Sequence, residues 1–319
     1  MKDRFGRKIE YLRLSVTRKC NLKCMYCRPS GDVGECDPCG ELTAEEMERI
    51  VASLAGLGVR KVRITGGEPL TRTDVCEIIS KISGIPQIGD ISMTTNGIHL
   101  EDMAGDLKKA GLKRINISLD SLQSNRFQSI TGGGRLQDTL RGIEEAINAG
   151  LQPVKINTVL IRGTNEDEVE EFIHLAKEYP IEVRFIELMP VGSFGEQNRD
   201  KIVYNSDIIA AHPQLQAVRE SAGNGPAEIF AIPGYKGRIG FISPMSRKFC
   251  EHCNRIRLTC DGRIIPCLGN NGGFDITGIL RDFPEKLDET IEDIIFNKPE
   301  GHRFNQVFQS ERGMNEIGG

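Results

Sequence analysis

Three cysteines within eight residues, Cys20-Asn-Leu-Lys-Cys24-Met-Tyr-Cys27, are the densest chemistry in this 319-residue chain. Gaps of three and two residues let one loop turn several thiols toward a single compact object. Soft thiolates select zinc or iron–sulfur clusters. A structural zinc ion takes four protein ligands, and no fourth Cys or His lies close to the triplet. An iron–sulfur cluster ordinarily takes four cysteines, so three leave one iron open to a small molecule. A second set lies far along the chain: Cys250-Glu-His-Cys253, thirteen residues, then Cys267, with Cys260 between. On spacing alone this is either a zinc site completed by Cys260 or His252, or another three-thiol cluster. The second C-x2-C knuckle of a zinc ribbon is missing. A further pair, Cys36-Asp-Pro-Cys39, has no other ligands nearby and reads as two loop thiols, with a redox pair or part of a stray metal site as the alternatives.

The elements that must position these thiols alternate in type. Tyr11 to Val16 alternates apolar and polar residues as a strand does, and leads straight into the first triplet. Thr43-Ala-Glu-Glu46 has the form of a capping box and opens a helix that Gly58 stops near Leu57. Strands are predicted over 61–65, 91–95, 114–119, 154–160 and 182–187, separated by helices over 74–82, 100–110, 136–149 and 166–179. About six strand–helix units in a row imply a parallel sheet with right-handed crossovers. Pattern alone does not separate an open sheet from a barrel. Beyond Pro190 the alternation stops: 191–199 reads as a Gly-containing loop, 206–211 as a short helix and 237–242 as a strand. The expected division is therefore 1–190 and a smaller region, 191–319.

Hydrophobic content of 39% and charged content of 27% are ordinary for a globular protein. A formal net charge of -4 argues against wholesale binding to nucleic acid or an anionic membrane. No apolar run approaches the ~20 residues that span a bilayer, and the charged segment from Met1 to Glu10 has no apolar signal region. A cytoplasmic protein is expected. Ten cysteines in such a protein suggest metal binding before disulfides. A zinc-stapled, non-catalytic binding module is the reading furthest from an enzyme.

With Tyr26 before the third thiol and Gly66-Gly67-Glu68-Pro69 further on, the first triplet resembles the radical S-adenosylmethionine (SAM) enzymes. Adding C-x2-C-x13-C, Asn254-Arg255-Ile256-Arg257-Leu258 and the final Gly318-Gly319, almost the whole length resembles one group among them, the molybdenum cofactor biosynthesis protein A family of GTP 3',8-cyclases. The resemblance implies an α/β fold, a partial (βα)6 TIM-type barrel carrying one 4Fe–4S cluster and a smaller C-terminal region carrying a second. Chemistry then belongs at C-terminal strand ends. It implies that Cys20, Cys24 and Cys27 hold the first cluster and Cys250, Cys253 and Cys267 the second, with Cys260 a bystander. It assigns SAM contacts to Tyr26, Gly67, Ser118 and Met189, and GTP contacts to Arg13, Arg63, Thr94, Lys155, Arg255, Ile256 and Arg257. Arginine forks suit phosphate oxygens, and glycine lets backbone approach a ligand closely. Glu68 is expected to accept a hydrogen bond locally.

The activity implied is conversion of GTP to (8S)-3',8-cyclo-7,8-dihydroguanosine 5'-triphosphate through a 5'-deoxyadenosyl radical. Implied partners are an external electron donor, a downstream cyclic pyranopterin monophosphate synthase and a second copy of the chain. Arg18-Lys19 departs from the family, where an Asp-Arg-like pair is common, and changes local charge without touching a ligand. A peptide-modifying radical SAM enzyme with an auxiliary cluster is the other enzymatic reading.

Overall fold

The computed structural model describes residues 1–27, 40–218, 225–302, 304, 313 and 314. Six parallel strands form its centre: β1 (Tyr11–Ser15), β2 (Lys61–Thr65), β3 (Asp90–Thr95), β4 (Arg114–Ser118), β5 (Val154–Leu160) and β6 (Glu182–Glu187). Between them run α1 (Ala44–Gly56), α2 (Val75–Ser83), α3 (Leu100–Lys109), α4 (Ser124–Thr131), α5 (Leu136–Asn148) and α6 (Val169–Glu178). The Thr43 capping box forms as expected: the hydroxyl accepts from Glu46 N at 3.2 Å, and the Glu46 carboxylate accepts from Thr43 N at 3.0 Å. Met47, Ile50, Val51 and Leu54 then fall on one buried helix face.

The C-terminal part extends this sheet at both edges. After α7 (Gly192–Gln197) and α8 (Asn205–Ala211) come β7 (Gln216–Ala217), β8 (Ala227–Ala231) and β9 (Arg238–Ile242). β9 pairs parallel to β6, and β8 and β7 follow antiparallel. At the opposite edge, β10 (Arg255–Leu258) pairs parallel to β1. β11 (Arg263–Ile265) and β12 (Phe274–Asp275) continue antiparallel, and α9 (Thr277–Asp282) and α10 (Leu287–Phe296) are the last helices among the described residues. The result is one twelve-stranded sheet ordered β12-β11-β10-β1-β2-β3-β4-β5-β6-β9-β8-β7.

Strand periodicity splits this sheet into two chemically different faces. Leu12, Leu14, Val62, Ile64, Met93, Ile115, Ile117, Ile156 and Val183 point outward into the helices and are fully buried. The alternate residues, including Arg13, Arg63, Thr94, Asn116, Lys155 and Arg184, line one cavity of about 640 Å³ together with residues of β8, β9 and β10. Side chains from strands at both edges can meet in one space only if the sheet curls around it. This is the partial barrel, hollow where a closed TIM barrel is filled with side chains.

Two expectations change. The 191–199 stretch is not a loop: α7 is helical and is followed by a 3-10 turn over Arg199–Lys201. Its glycines permit close packing, since a Cβ at Gly195 would come 2.2 Å from the carbonyl oxygen of Met189. The sequence reading also passes over α4, which buries Phe127, Ile130 and Thr131.

Candidate active site

The first cysteine loop leaves the C-terminal end of β1 and hangs on the end of α4. Lys23 N and Met25 N donate to the carbonyls of Thr131 and Ile130, each at 2.9 Å. Cys20, Cys24 and Cys27 are half-buried and line the cavity. Burial pushes the Cys24 thiol well up, helped by Asp120 and by Cys27 and Cys20 close by. Tyr26 donates its hydroxyl to Asp120 Oδ2 at 2.7 Å, and Asp120 Oδ1 accepts from Val159 N at 2.8 Å. Burial lifts the Asp120 carboxyl to about 6 against those two hydrogen bonds.

Gly66-Gly67-Glu68-Pro69 follows β2 at the same end. Gly67 N donates to Thr17 O and Glu68 N to Lys19 O, both at 2.7 Å. A Cβ at Gly67 would stand 2.3 Å from the Lys19 carbonyl oxygen and 2.6 Å from that of Arg18, so only glycine fits. Glu68 reaches further than a local cap. It accepts from Leu70 N at 3.0 Å, Thr95 Oγ1 at 2.6 Å and Asn96 N at 2.7 Å, which ties β2 to β3. Burial raises its carboxyl to about 7, against those hydrogen bonds. Ser118 and Met189 line the cavity near this end.

Below this rim, three arginines sit side by side. Register places Arg257 of β10 beside Arg13 of β1, and Arg13 beside Arg63 of β2, on adjacent parallel strands. Strands lie ~4.8 Å apart, and like charges directly opposite repel. Burial and its arginine neighbours, Arg257 first, hold the Arg13 guanidinium well below its ordinary range. Burial chiefly brings Arg63 and Arg257 each to about 10. Lys155 falls to about 8 through burial and Arg184, opposed by Glu182, which accepts from its Nζ at 3.0 Å. Lys61, Arg114, Arg184 and Arg255 also line the cavity; Asp90 pairs with Arg114 at 2.9 Å. The wall carries a surplus of cations, as a site for a polyanion requires.

Between the arginine row and the upper thiols lie buried polar atoms without partners among the described residues: Thr94 Oγ1, both polar atoms of Asn116 and Asn157 Oδ1. Each costs about 1–3 kcal/mol if left unsatisfied, so ligand groups are expected there.

The second trio lies at the other end of the strands. β10 runs parallel to β1, so Cys253, just before β10, stands at the N-terminal strand ends. β11 returns antiparallel with Arg257 beside Ile265, which brings Cys267 back to the mouth of the hairpin. The thirteen-residue gap is this out-and-back path. Cys250 feels both Cys253 and Cys267, though burial is the largest influence raising its thiol. Burial also opposes ionisation of Cys253, but Lys298, Arg255 and Arg7 outweigh it and lower the thiol. Phe249, Asn254 and Leu268, neighbours of the three thiols, line the cavity floor. Between the two trios lies the length of a five-residue strand, roughly 15–20 Å with the loops included.

A single structural zinc ion needs four ligands drawn together. Among the described residues, no three His, Cys, Asp or Glu side chains gather closely enough to hold a single metal ion. Cys260, which the zinc alternative needs, is fully buried at the turn end of the hairpin, ~13 Å of strand from Cys253. His252 is exposed.

Every expected SAM and GTP contact lines the cavity except one. Ile256 points the other way: it is 1% exposed and packs in the apolar core between its two cavity-facing neighbours, as strand alternation demands. The expectation that the site would lie at C-terminal strand ends also needs correction. Arg13 and Arg63 are mid-strand, and Lys155 and Arg255 are near N-terminal ends, because the cavity runs the length of the hollow sheet. Cys36, Cys39, Gly318 and Gly319 lie outside the described residues. Lys61, Arg114, Arg184 and Asn157 escaped the sequence reading, yet a signal exists: each is two residues from a cavity-facing partner on its strand.

Residues 14–176 match the Radical SAM superfamily, and residues 181–304 match Molybdenum Cofactor Synthesis C. Over 100% of both chains, the sequence is 47% identical to the GTP 3',8-cyclase of Alkaliphilus oremlandii and 46% identical to that of Alkaliphilus metalliredigens. It is 45% identical to the GTP 3',8-cyclase of Clostridium botulinum, again over the full length of both.

The chain belongs to the GTP 3',8-cyclase family.

In fold, this family member is similar to Streptococcus suis SuiB bound to S-adenosylmethionine, with a TM-score of 0.63 and 17% identity over 91% of this chain and 67% of that one. At that identity the likeness concerns the fold alone. No helix among the described residues is long and apolar enough to cross a membrane.

Proposed function

We infer that this chain cyclises GTP to (8S)-3',8-cyclo-7,8-dihydroguanosine 5'-triphosphate in molybdenum cofactor biosynthesis, using SAM and two 4Fe–4S clusters. The observation that carries this reading is the Arg257–Arg13–Arg63 row in a cavity lined at its upper end by Cys20, Cys24 and Cys27 and at its floor by Phe249, Asn254 and Leu268, the neighbours of the second trio. Cys20, Cys24 and Cys27 hold the first cluster, and Cys250, Cys253 and Cys267 the second. SAM held beside Tyr26, Gly67, Ser118 and Met189 would, with the first cluster, supply the radical chemistry that acts on the ribose.

The chain's own residues bind and orient. Gly67, packed against the Lys19 and Arg18 carbonyls, sets the path of the loop that flanks the SAM methionine group, beside Ser118, Met189 and Tyr26. The arginine row and Lys155 take the triphosphate, whose negative oxygens relieve the repulsion along the row. Thr94 and Asn116 stand between that row and the upper thiols, where a ribose finds hydrogen-bond partners. Arg255 lies at the lower end of the cavity, toward the second trio. Fixing ribose C3' and guanine C8 together is the larger part of the catalysis. An external one-electron donor, a downstream cyclic pyranopterin monophosphate synthase and a homodimer complete the proposal.

The test is anaerobic reconstitution to about eight irons per chain, followed by incubation with SAM, reductant and GTP. Loss of GTP matched by a cyclised triphosphate and 5'-deoxyadenosine supports the reading. Formation of 5'-deoxyadenosine with GTP untouched would overturn it.

A further inference from the structure

Two buried cations beside the second trio have no part in the steps above. Lys298 is 1% exposed, and its ammonium donates to the Arg255 carbonyl at 2.9 Å and to the Pro266 carbonyl. Those carbonyls face each other across the mouth of the β10–β11 hairpin, two residues after Cys253 and one before Cys267. Arg7 donates to the carbonyls of Cys250 at 3.0 Å and of Glu300 and Pro299 at 2.6 Å each, while its Nε is on Asp3 at 2.6 Å. Each cysteine-bearing segment thus hangs from a buried cation by a backbone carbonyl, and the two cations converge on residues 298–300.

The two differ in one respect. Arg7 has Asp3 as its counter-ion, whereas no carboxylate among the described residues pairs with Lys298. An ammonium buried without an anion is strongly unfavourable, so negative charge is expected beside it. Three thiolates on a [4Fe–4S]2+ core carry a net charge of about -1, and one-electron reduction makes it about -2.

We propose that Lys298, braced by Arg7, is the positioning residue of the second cluster: it fixes the spacing of Cys253 and Cys267, and its charge favours the reduced cluster over the oxidised one. The proposal rests on the reading of Cys250, Cys253 and Cys267 as ligands. The electron comes from an external low-potential donor, [4Fe–4S]2+ becomes [4Fe–4S]+, and no proton moves.

The experiment uses the full chain with Cys20, Cys24 and Cys27 changed to Ala, so that only the second site takes iron. About four irons in this parent uphold the ligand reading; none would remove that reading, separately from the role of Lys298. Lys298→Met and Lys298→Arg are then reconstituted alongside it. Their midpoint potentials are read by electron paramagnetic resonance during titration with dithionite. Lys298→Met is expected either to lose the iron while its circular dichroism is unchanged, or to keep it with at least a tenfold lower ratio of reduced to oxidised cluster at a fixed potential. Tenfold is 59 mV for a one-electron couple. Lys298→Arg is expected to stay within threefold of the parent. Should Lys298→Met fail to fold, Arg7→Gln is read by the same two measures. Full iron and an unchanged potential in the neutral variant would overturn the proposal.

Discussion

At the upper end of the cavity, the thiols of Cys20, Cys24 and Cys27 sit near buried carboxyls; at the lower end, those of Cys250, Cys253 and Cys267 sit near buried cations. Asp120 helps burial to push Cys24 up, while Lys298, Arg255 and Arg7 pull Cys253 down against burial. The upper trio is mounted on strand ends and α4 through side chains and loop amides. The lower trio is mounted on a hairpin by cations bound to carbonyls. Two sites built from the same three thiols therefore meet different local fields. In the proposed reading, the first field belongs to the site that would face SAM and the second to the site that would face the far end of a nucleotide.

The largest test of this contrast removes one thiol from each end. Cys24→Ala is expected to abolish both 5'-deoxyadenosine and the cyclised product. Cys253→Ala is expected to abolish the product while leaving uncoupled 5'-deoxyadenosine above a tenth of the parent rate. Each loses about half the iron, and chromatography of the quenched reaction separates the two outcomes. If both variants lose 5'-deoxyadenosine equally, the ends do not divide the work.

Between the ends, Arg257→Ala is expected to weaken GTP binding by roughly 10- to 100-fold, corresponding to about 1.5–3 kcal/mol for a hydrogen bond to a charged group. Equilibrium dialysis reads this, and SAM binding should not change. The same wall predicts a pH dependence. Lys155 titrates at about 8, and a bound triphosphate favours its charged form. Binding therefore takes up a proton above that pH, and GTP affinity falls severalfold as pH rises from 7 to 9. Lys155→Arg removes this slope.

The smallest effect belongs to the upper end. Burial raises Asp120 from 3.8 to about 6. Between those values the folded protein keeps a proton that the unfolded chain has released. The corresponding stability is complete below pH ~4 and is lost as pH rises through ~6. Urea denaturation across that window should show the decline, and Asp120→Asn, which still accepts from Tyr26, should make it shallower while leaving the part that Glu68 contributes.

The strand–helix alternation was legible because parallel strands and amphipathic helices repeat with distinct periods, and the strands over Lys61–Thr65, Val154–Leu160 and Glu182–Glu187 fall where expected. The cysteine trios were legible through spacing and family resemblance. Ile256 was assigned with its two neighbours through the family resemblance, whereas a strand turns alternate residues to opposite faces and its side chain lies in the core. Lys61, Arg114 and Arg184 were missed because a single cation resembles a solvated surface charge. Only the register of several strands reveals that they share a wall. Lys298 has no local signature: its importance comes from carbonyls 32 and 43 positions away in sequence.

The sheet order carries a consequence for how the molecule is made. Strands from the first half occupy the centre, and both flanks come from residues beyond 215. A chain released at residue 190 would present β1 and β6 as bare parallel edges, each offering unpaired amides and carbonyls to any other strand. Such a fragment should aggregate or recruit chaperones until the last third of the protein emerges to cap both sides. The seam that separates the two family matches is thus not expected to be a folding boundary, and cutting there should yield precipitate in place of half an enzyme.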